Sequence, residues 1–391
     1  METIHNILLS FRLAFRNIIS SGLRTWLTII TLSLAFVMIL FFNSLYMGWE
    51  YQGIKDQVNW EFAEGQLIHA DYDKMDPFTI ESGHGQYSEN AHLTPVLIRQ
   101  ANIYPDGRML PILLKGIASE QDVVKLPTKV LSNSKVPIPV IIGQGMAQDN
   151  HLKKGDEILM RWKDKNGTFD AQNVTIVDIF ETTVPTVDAN QVWIGLEKLN
   201  QLTGFHQQAT YLLADKEYKH QNIEGWEYES KQELLQPFYD LIEMKKGGSS
   251  FLYGILMLIA LIAIFDSQVF SVFKRQKEIG TYIALGFTKK RVTFLFTLEG
   301  TMYAFIATIV GSAVAIPLIM WLNKVGIPMT SNLEQSRKMG ITIDEFIYPL
   351  LTPELFFKTI ILVVLLSAVI SYLPVRKISK MNTVDALKGK K

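Results

Sequence analysis

Four long stretches of the chain carry almost no charged residues, and this restricts its possible folds more than any other feature. Three uncharged intervals, 25–49, 247–265 and 359–375, contain 25, 19 and 17 residues, and a fourth, 292–323, contains only Glu299. A helix rises about 1.5 Å per residue, so roughly 20 apolar residues cross the ~30 Å hydrocarbon core of a bilayer. We therefore predict transmembrane helices at 25–47, 250–273, 293–322 and 355–375.

Basic residues are distributed unevenly beside these stretches. The net charge is +2 over 1–24, +5 over 274–291 and +5 over 376–391, whereas 48–249 carries 19 basic and 29 acidic residues. Cytoplasmic segments of membrane proteins are enriched in Lys and Arg. We therefore predict that the three basic segments are cytoplasmic, with both termini. The domain at 48–249 and the short loop at 323–354 are then extracytoplasmic.

Segment 48–249 has the pattern of a separate α+β domain. Helical spacing at 47–65 and 232–244 predicts a helical stalk at each end, the second joined by a Lys-Lys-Gly-Gly-Ser linker to the next span. Short helices are predicted at 143–151 and 196–202, and Asn166-Gly167 indicates a hairpin. Strand-like runs separated by turn residues occur at 95–99, 110–114, 136–142, 158–162, 174–180 and 192–194. The predicted fold is four transmembrane α-helices with a large extracytoplasmic α+β domain inserted between the first and second.

The first 24 residues predict an amphipathic helix. Its apolar residues recur at helical spacing, and Arg12 and Arg16 lie off that stripe. We expect it to lie on the inner face of the membrane, or alternatively to pack against the core of the protein itself.

Several kinds of chemistry have no support in the sequence. The chain has no Cys and seven His, and the His residues show neither HxxxH nor HExxH spacing. A P-loop motif for nucleotide phosphates is also missing. We therefore predict no catalytic residue, cofactor, metal site or nucleic-acid partner, and we place any ATP hydrolysis on another polypeptide.

Several motifs carry a family resemblance. The segment F-K-R-Q-K-E-I-G at 273–280 is followed by A-L-G-F-T at 284–288 and by E-G at 299–300. This order resembles the R-x-x-E-I-G, A-L-G-A-[ST] and E-G signature of FtsX-like ABC transporter permeases. Motifs at 16–28, before the first span, and at 374–387, after the last span, are similar to the same family. Thr383 stands where the family's tail pattern has Pro.

The resemblance implies a non-catalytic permease subunit in a bacterial cytoplasmic membrane, in contact with membrane lipid. It would pair with a second permease subunit, identical or different, on cytoplasmic ABC ATPase subunits. In this family ATP-driven motion is transmitted through the spans to the outer domains, which is called mechanotransmission.

The cargo is predicted from a weaker match. Residues 233–239, E-L-L-Q-P-F-Y, resemble the lipoprotein-releasing branch, which implies lipoprotein release with an extracytoplasmic lipoprotein or adaptor as partner. One alternative is tripartite-type efflux of a peptide or drug. Another is a membrane-anchored sensor or scaffold that has no ATPase partner.

The segment between the second and third spans is the predicted coupling site. A helix at 274–285, ended by Gly286, would sit in a groove of the ATPase, with Glu278 meeting a basic group and Ile279 filling an apolar pocket. The alternative is a basic loop that only fixes topology. The residues predicted to couple to the ATPase are Arg275, Lys277, Glu278, Ile279 and Gly280.

Two charged residues lie inside the predicted spans. Asp266 and Glu299 should face protein or water, because an Asp at the centre of a membrane helix costs about 2.5 to 3.5 kcal/mol. They could approach each other or the interfacial Lys and Arg. We interpret them as structural polar contacts, with a proton relay as the alternative.

The third span carries small residues at helical spacing. This stripe predicts close helix packing, within the subunit or across a dimer. Its members are Gly300, Ala304, Ala307, Gly311 and Ala315.

Overall fold

A computed structural model describes residues 23–329, 340–342 and 344–380 of the chain. Most of the predicted amphipathic helix at 1–24 and of the tail at 376–391 lies outside these residues. The chain forms two compact units, which we call the helical unit and the β unit. The helical unit comprises 1–49, 242–327 and 347–391, and the β unit comprises 50–241 and 328–346.

Within the residues that the structure describes, four helices are long and apolar enough to cross a membrane. Each contains one of the spans predicted from the sequence, because long charge-free stretches dominate their composition. A short helix, α7 (Gln276–Ala284), lies between the second and the third of them. The four long helices are α1 (Leu23–Gln57), α6 (Lys231–Lys274), α8 (Lys289–Val325) and α9 (Pro353–Lys380).

The predicted stalk at 232–244 and the second span are parts of one helix, because α6 continues through the Lys-Lys-Gly-Gly-Ser segment between them. Neither Gly247 nor Gly248 breaks the helix. A glycine inside a helix costs only about 1 kcal/mol, which the long flanking segments outweigh. Ser230 and Glu233 fix the start of α6, since Glu233 Oε2 accepts bonds from the Ser230 N–H and hydroxyl at 2.7 Å each.

The small-residue stripe of α8 packs inside the helical unit. All five of its residues are buried. Gly311 faces α1, since a Cβ on it would lie 2.7 Å from Phe36 Cδ1, and a Cβ on Gly300 would clash with Ser371 of α9. The close approach of helices predicted for this stripe therefore occurs within one chain.

The β unit is built on a nine-stranded sheet with the order β11-β1-β10-β3-β4-β8-β5-β7-β6, in which β3 also pairs with β6. A separate two-stranded pair joins β2 (Gly85–Gln86) and β9 (Gln208–Ala209). Another pair joins β12 (Ile327–Pro328) and β13 (Phe346–Ile347). The large sheet contains β1 (Gly65–His69), β3 (Leu93–Ile103), β4 (Leu110–Ile117), β5 (Pro139–Gly143), β6 (Glu157–Lys163), β7 (Phe169–Phe180), β8 (Gln191–Gly195), β10 (Tyr211–Ala214) and β11 (Trp226–Ser230).

The extra pairing between β3 and β6 closes six strands into a ring. Ala101–Ile103 of β3 pair with Met160–Trp162 of β6, which completes the circuit β3-β4-β8-β5-β7-β6. Alternate residues along each strand point inward and form one apolar core. One member from each of the six strands is Leu97, Ile112, Val140, Met160, Ile176 and Ile194.

All six predicted strands are present, as β3 to β8. The predicted hairpin joins β6 and β7, and Gly167 supplies its positive φ of 82°. Short helices also occur near both predicted positions, as α3 (Gln144–Asp149) and α5 (Leu196–Thr203). The remaining short helices are α2 (Lys129–Asn133) and α4 (Pro185–Asp188).

Candidate coupling site

The predicted coupling helix forms as a helix separate from α6. Arg275 has non-helical dihedral angles, φ −105° and ψ 21°, so α6 ends at Lys274 and α7 starts at Gln276. After α7, Gly286 adopts φ +95°, a conformation that favours glycine. Thr288 then caps α8, its side-chain oxygen accepting the Arg291 N–H at 3.3 Å. Two local turns therefore separate α7 from the long helices on either side.

Ile279 is buried inside its own chain. It is fully buried, and it belongs to a cluster with Val272, Val292, Phe296 and Val375. These neighbours come from α6, α8 and α9, so the apolar side of α7 rests on the ends of three helices. The prediction that Ile279 fills a pocket of the ATPase is therefore wrong.

Arg275 also turns towards its own chain. Its Nη1 donates to Glu299 Oε2 at 2.8 Å, and its Nε donates to Glu278 Oε2 at 2.6 Å. The guanidinium carbon lies 4.8 Å from the centroid of the Phe296 ring. Only 19% of the side chain is exposed. These contacts lie within the subunit, and the predicted contact between Arg275 and the ATPase stays a prediction.

The electrostatic surroundings keep Arg275 cationic. Burial alone would lower the pKa of the guanidinium, but Glu299 and Glu278 outweigh that effect and raise the pKa. Glu299 is 8% exposed, and the Arg275 guanidinium is in direct contact with it as a counter-charge. An Arg near the end of a span is one of the partners considered for Glu299 from the sequence. Asp266 is exposed on α6.

The remaining predicted coupling residues divide between two sides of α7. Lys277 and Glu278 are exposed, whereas Gly280 is buried beside Ile279. The exposed side continues past the helix, where Leu285 and Phe287 are 72% and 36% exposed. These two apolar residues were not predicted as contacts, although they belong to the A-L-G-F-T motif. An exposed apolar pair beside two charged side chains is a surface on which another protein can dock.

Residues 250–383 match the family model described as FtsX-like permease C-terminal. The matched segment begins in α6, continues through α7 and α8, and extends beyond α9. It therefore includes the whole arrangement around Arg275. The match supports assignment of residues 250–383 to the FtsX-like permease family. In this protein β1 to β11 lie between the first and second long helices and precede the matched segment. No curated protein matches the chain.

Proposed function

We propose that this permease is the membrane subunit of an ABC transporter and that α7 receives the force generated by a separate cytoplasmic ATPase. The main support for the proposal is that one side of α7 is exposed and the other is buried against the long helices. Its exposed side offers Lys277, Glu278 and the apolar residues that follow the helix, while its buried side is attached to α8. A partner that pushes on the exposed side therefore displaces a transmembrane helix as well as a loop.

The same proposal gives the β unit its role. Both α1 and α6 contain residues of the two units and continue without a break between them. Continuous helices can carry rigid-body motion, so ATP-driven movement in the membrane would reach the β unit outside it. Tight packing of the small-residue stripe also supports force transmission over a hydrated pore through the bundle.

We further propose lipoprotein release as the cargo reaction, with a second permease subunit completing the transporter. The support is the resemblance at 233–239. Part of that motif also has a local structural role, because Glu233 caps α6 and Leu235 is buried. Exchange of 65–231 with the same region of a related permease should transfer cargo specificity. Specificity that stays with the helical unit in an assembled chimera would contradict this proposal.

The proposed location is the bacterial cytoplasmic membrane, with the β unit outside and α7 inside. Since the chain has no Cys, single Cys residues can be introduced at exposed Asn166 and Lys290 without background labelling. In intact cells an impermeant maleimide should label only the first position. Labelling at Lys290 would overturn the topology.

ATPase coupling can be tested by reversing one charge on α7. Glu278 is 56% exposed, so Glu278→Lys should leave the fold intact while weakening association with the ATPase and uncoupling transport. Glu227→Lys, an exposed change of the same charge in β11, is the matched control. Normal ATPase association and transport in Glu278→Lys would exclude this role. If no ATPase copurifies with the parental permease, the sensor or scaffold alternative is favoured.

A further inference from the structure

We infer that Arg275 and Glu299 form an internal latch through which α7 moves α8, so that Arg275 is a positioning residue of the coupling site. This inference rests on the proposed function, because a latch transmits force only if a partner supplies it. It assigns to Arg275 a role different from contact with the ATPase.

The geometry joins two helices through one rigid group. The planar guanidinium binds Glu278 of α7 through Nε and Glu299 of α8 through Nη1. It also lies over Phe296, which is three residues before Glu299 and therefore on the same face of α8. A planar group held by two carboxylates and an aromatic ring has little freedom to reorient. Movement of α7 must therefore be followed by α8.

The electrostatics oppose release of the latch. Glu299 is almost completely buried in a helix long and apolar enough to cross a membrane. If Arg275 moved away, the buried carboxylate would lose this counter-charge in a medium of low polarity. The ion pair should therefore persist while α7 and α8 change position together.

An apolar contact supports the latch one turn further along. Ile279 lies four residues after Arg275, and its N–H donates to the Arg275 carbonyl at 3.0 Å. Its side chain packs with Phe296, the same residue that lies beneath the guanidinium. Attachment at two points fixes the orientation of α7 as well as its position.

A test must separate force transmission from simple stabilisation of the fold. Arg275→Met alone should assemble poorly, since it takes a counter-charge away from the buried Glu299. The double variant Arg275→Met/Glu299→Leu removes both charges, and apolar replacement of a buried ion pair is often neutral or stabilising. We therefore expect the double variant to assemble and bind the ATPase as the parent does. Lys290→Met, which removes an exposed positive charge at the start of α8, is the matched control.

The readout is a distance within the helical unit. Spin labels at Leu34 of α1 and Val314 of α8, both exposed, would report movement of α8 in the complete transporter with and without ATP. In the parent and in Lys290→Met the distance should change with nucleotide. In the double variant the change should fall severalfold, because α7 keeps its apolar packing but loses the charged contact with α8.

Each outcome bears on a different claim. A parental change in the assembled double variant would overturn the latch and leave the proposed function intact. Failure of the double variant to assemble with the ATPase would also contradict the latch, because it would assign the pair to assembly. An unmodified permease that binds no ATPase would refute the proposed function itself.

Discussion

In the helical unit Glu299 is buried and bonded to Arg275 at 2.8 Å, whereas in the β unit Lys115 is buried with its ammonium 5.0 Å from the centroid of the Trp193 ring. Both side chains are 6% to 8% exposed. Burial lowers the pKa of Lys115 to about 8, although Glu61 opposes the shift. Glu299 therefore has a counter-ion in contact, whereas Lys115 releases its proton more easily than a solvated lysine does.

The difference reflects what surrounds each unit. A carboxylate inside a membrane bundle is stabilised by a fixed counter-charge that the chain itself provides. A lysine in a water-soluble fold can instead release its proton at moderate pH, so contact with an aromatic face suffices. Buried charge in the helical unit thus sets the geometry of two helices, whereas in the β unit it sets a dependence on pH.

The largest effect should come from breaking the pair in the helical unit. Arg275→Met should destabilise the permease by about 3–5 kcal/mol, because Glu299 keeps its charge and loses the Arg275 counter-charge. Thermal unfolding of the whole chain in detergent measures the loss. Lys277→Met should change stability by less than about 1 kcal/mol, since that residue is exposed. Equal losses in the two variants would show that the ion pair has no special weight.

In the β unit we expect the opposite change in stability, because removal of the buried charge of Lys115 should stabilise the fold. The pKa of Lys115 is about 8 in the folded state and 10.5 in the reference state. The unfolded chain therefore holds more protons between these values, and parental stability should rise with pH from about 8 to 10.5. Below pH 8 the full penalty of roughly 3 kcal/mol applies, and Lys115→Met should relieve part of it.

Amide hydrogen exchange in β4, corrected for intrinsic exchange rates, measures this effect in the full chain. The parent should gain protection across that pH range, and Lys115→Met should not. Lys135→Met, at an exposed position, is the control and should retain the parental pH dependence. A pH-independent parent would show that the ammonium remains fully solvated.

A third buried charge, the carboxylate of Asp188, is held by backbone groups and not by a charged side chain. Asp188 is 4% exposed and accepts N–H groups of Gly145 and Met146 at the start of α3, at 3.0 and 3.3 Å. Asp188→Ala should cost about 1–3 kcal/mol by leaving buried donors unsatisfied. Asp188→Asn should cost less, since it retains one acceptor. Faster amide exchange confined to α3 in the Ala variant would support this, and unchanged exchange would refute it.

The smallest effect is expected at Asp266. This residue is exposed on α6, and Asn preserves its shape and an acceptor while removing the titratable proton. Asp266→Asn should therefore stay within about 0.5 kcal/mol of the parent and retain activity, whereas Asp266→Leu should lose activity. An assembled but inactive Asn variant would favour the proton relay.

The sequence predicts the long helices and the six strands β3 to β8 well because their signals are local. Charge-free stretches and alternating apolar residues depend only on neighbours in the chain. The strands β1, β10 and β11 were missed, since each is short and pairs with segments far away in sequence. Trp226–Ser230, for example, alternates aromatic and acidic residues and becomes a strand by pairing with β1.

The coupling site shows the same limit at the level of side chains. The motif locates α7, and charge alone indicates that Glu299 requires a partner. The partner itself, Arg275, is 24 residues earlier in the chain. It reaches Glu299 from the non-helical position between α6 and α7. Ile279 was assigned to the wrong surface because its neighbours belong to three different helices, which no local pattern reveals.

The central claim is that ATP bound by a partner moves the β unit. Its most direct test is pulsed electron paramagnetic resonance on the complete transporter, with spin labels at exposed Asn166 and Lys324 of the Cys-free chain. We expect the distance distribution to shift when ATP binds, and we expect Glu278→Lys to abolish the shift. Identical distributions with and without ATP, in a parental complex that hydrolyses ATP, would contradict it.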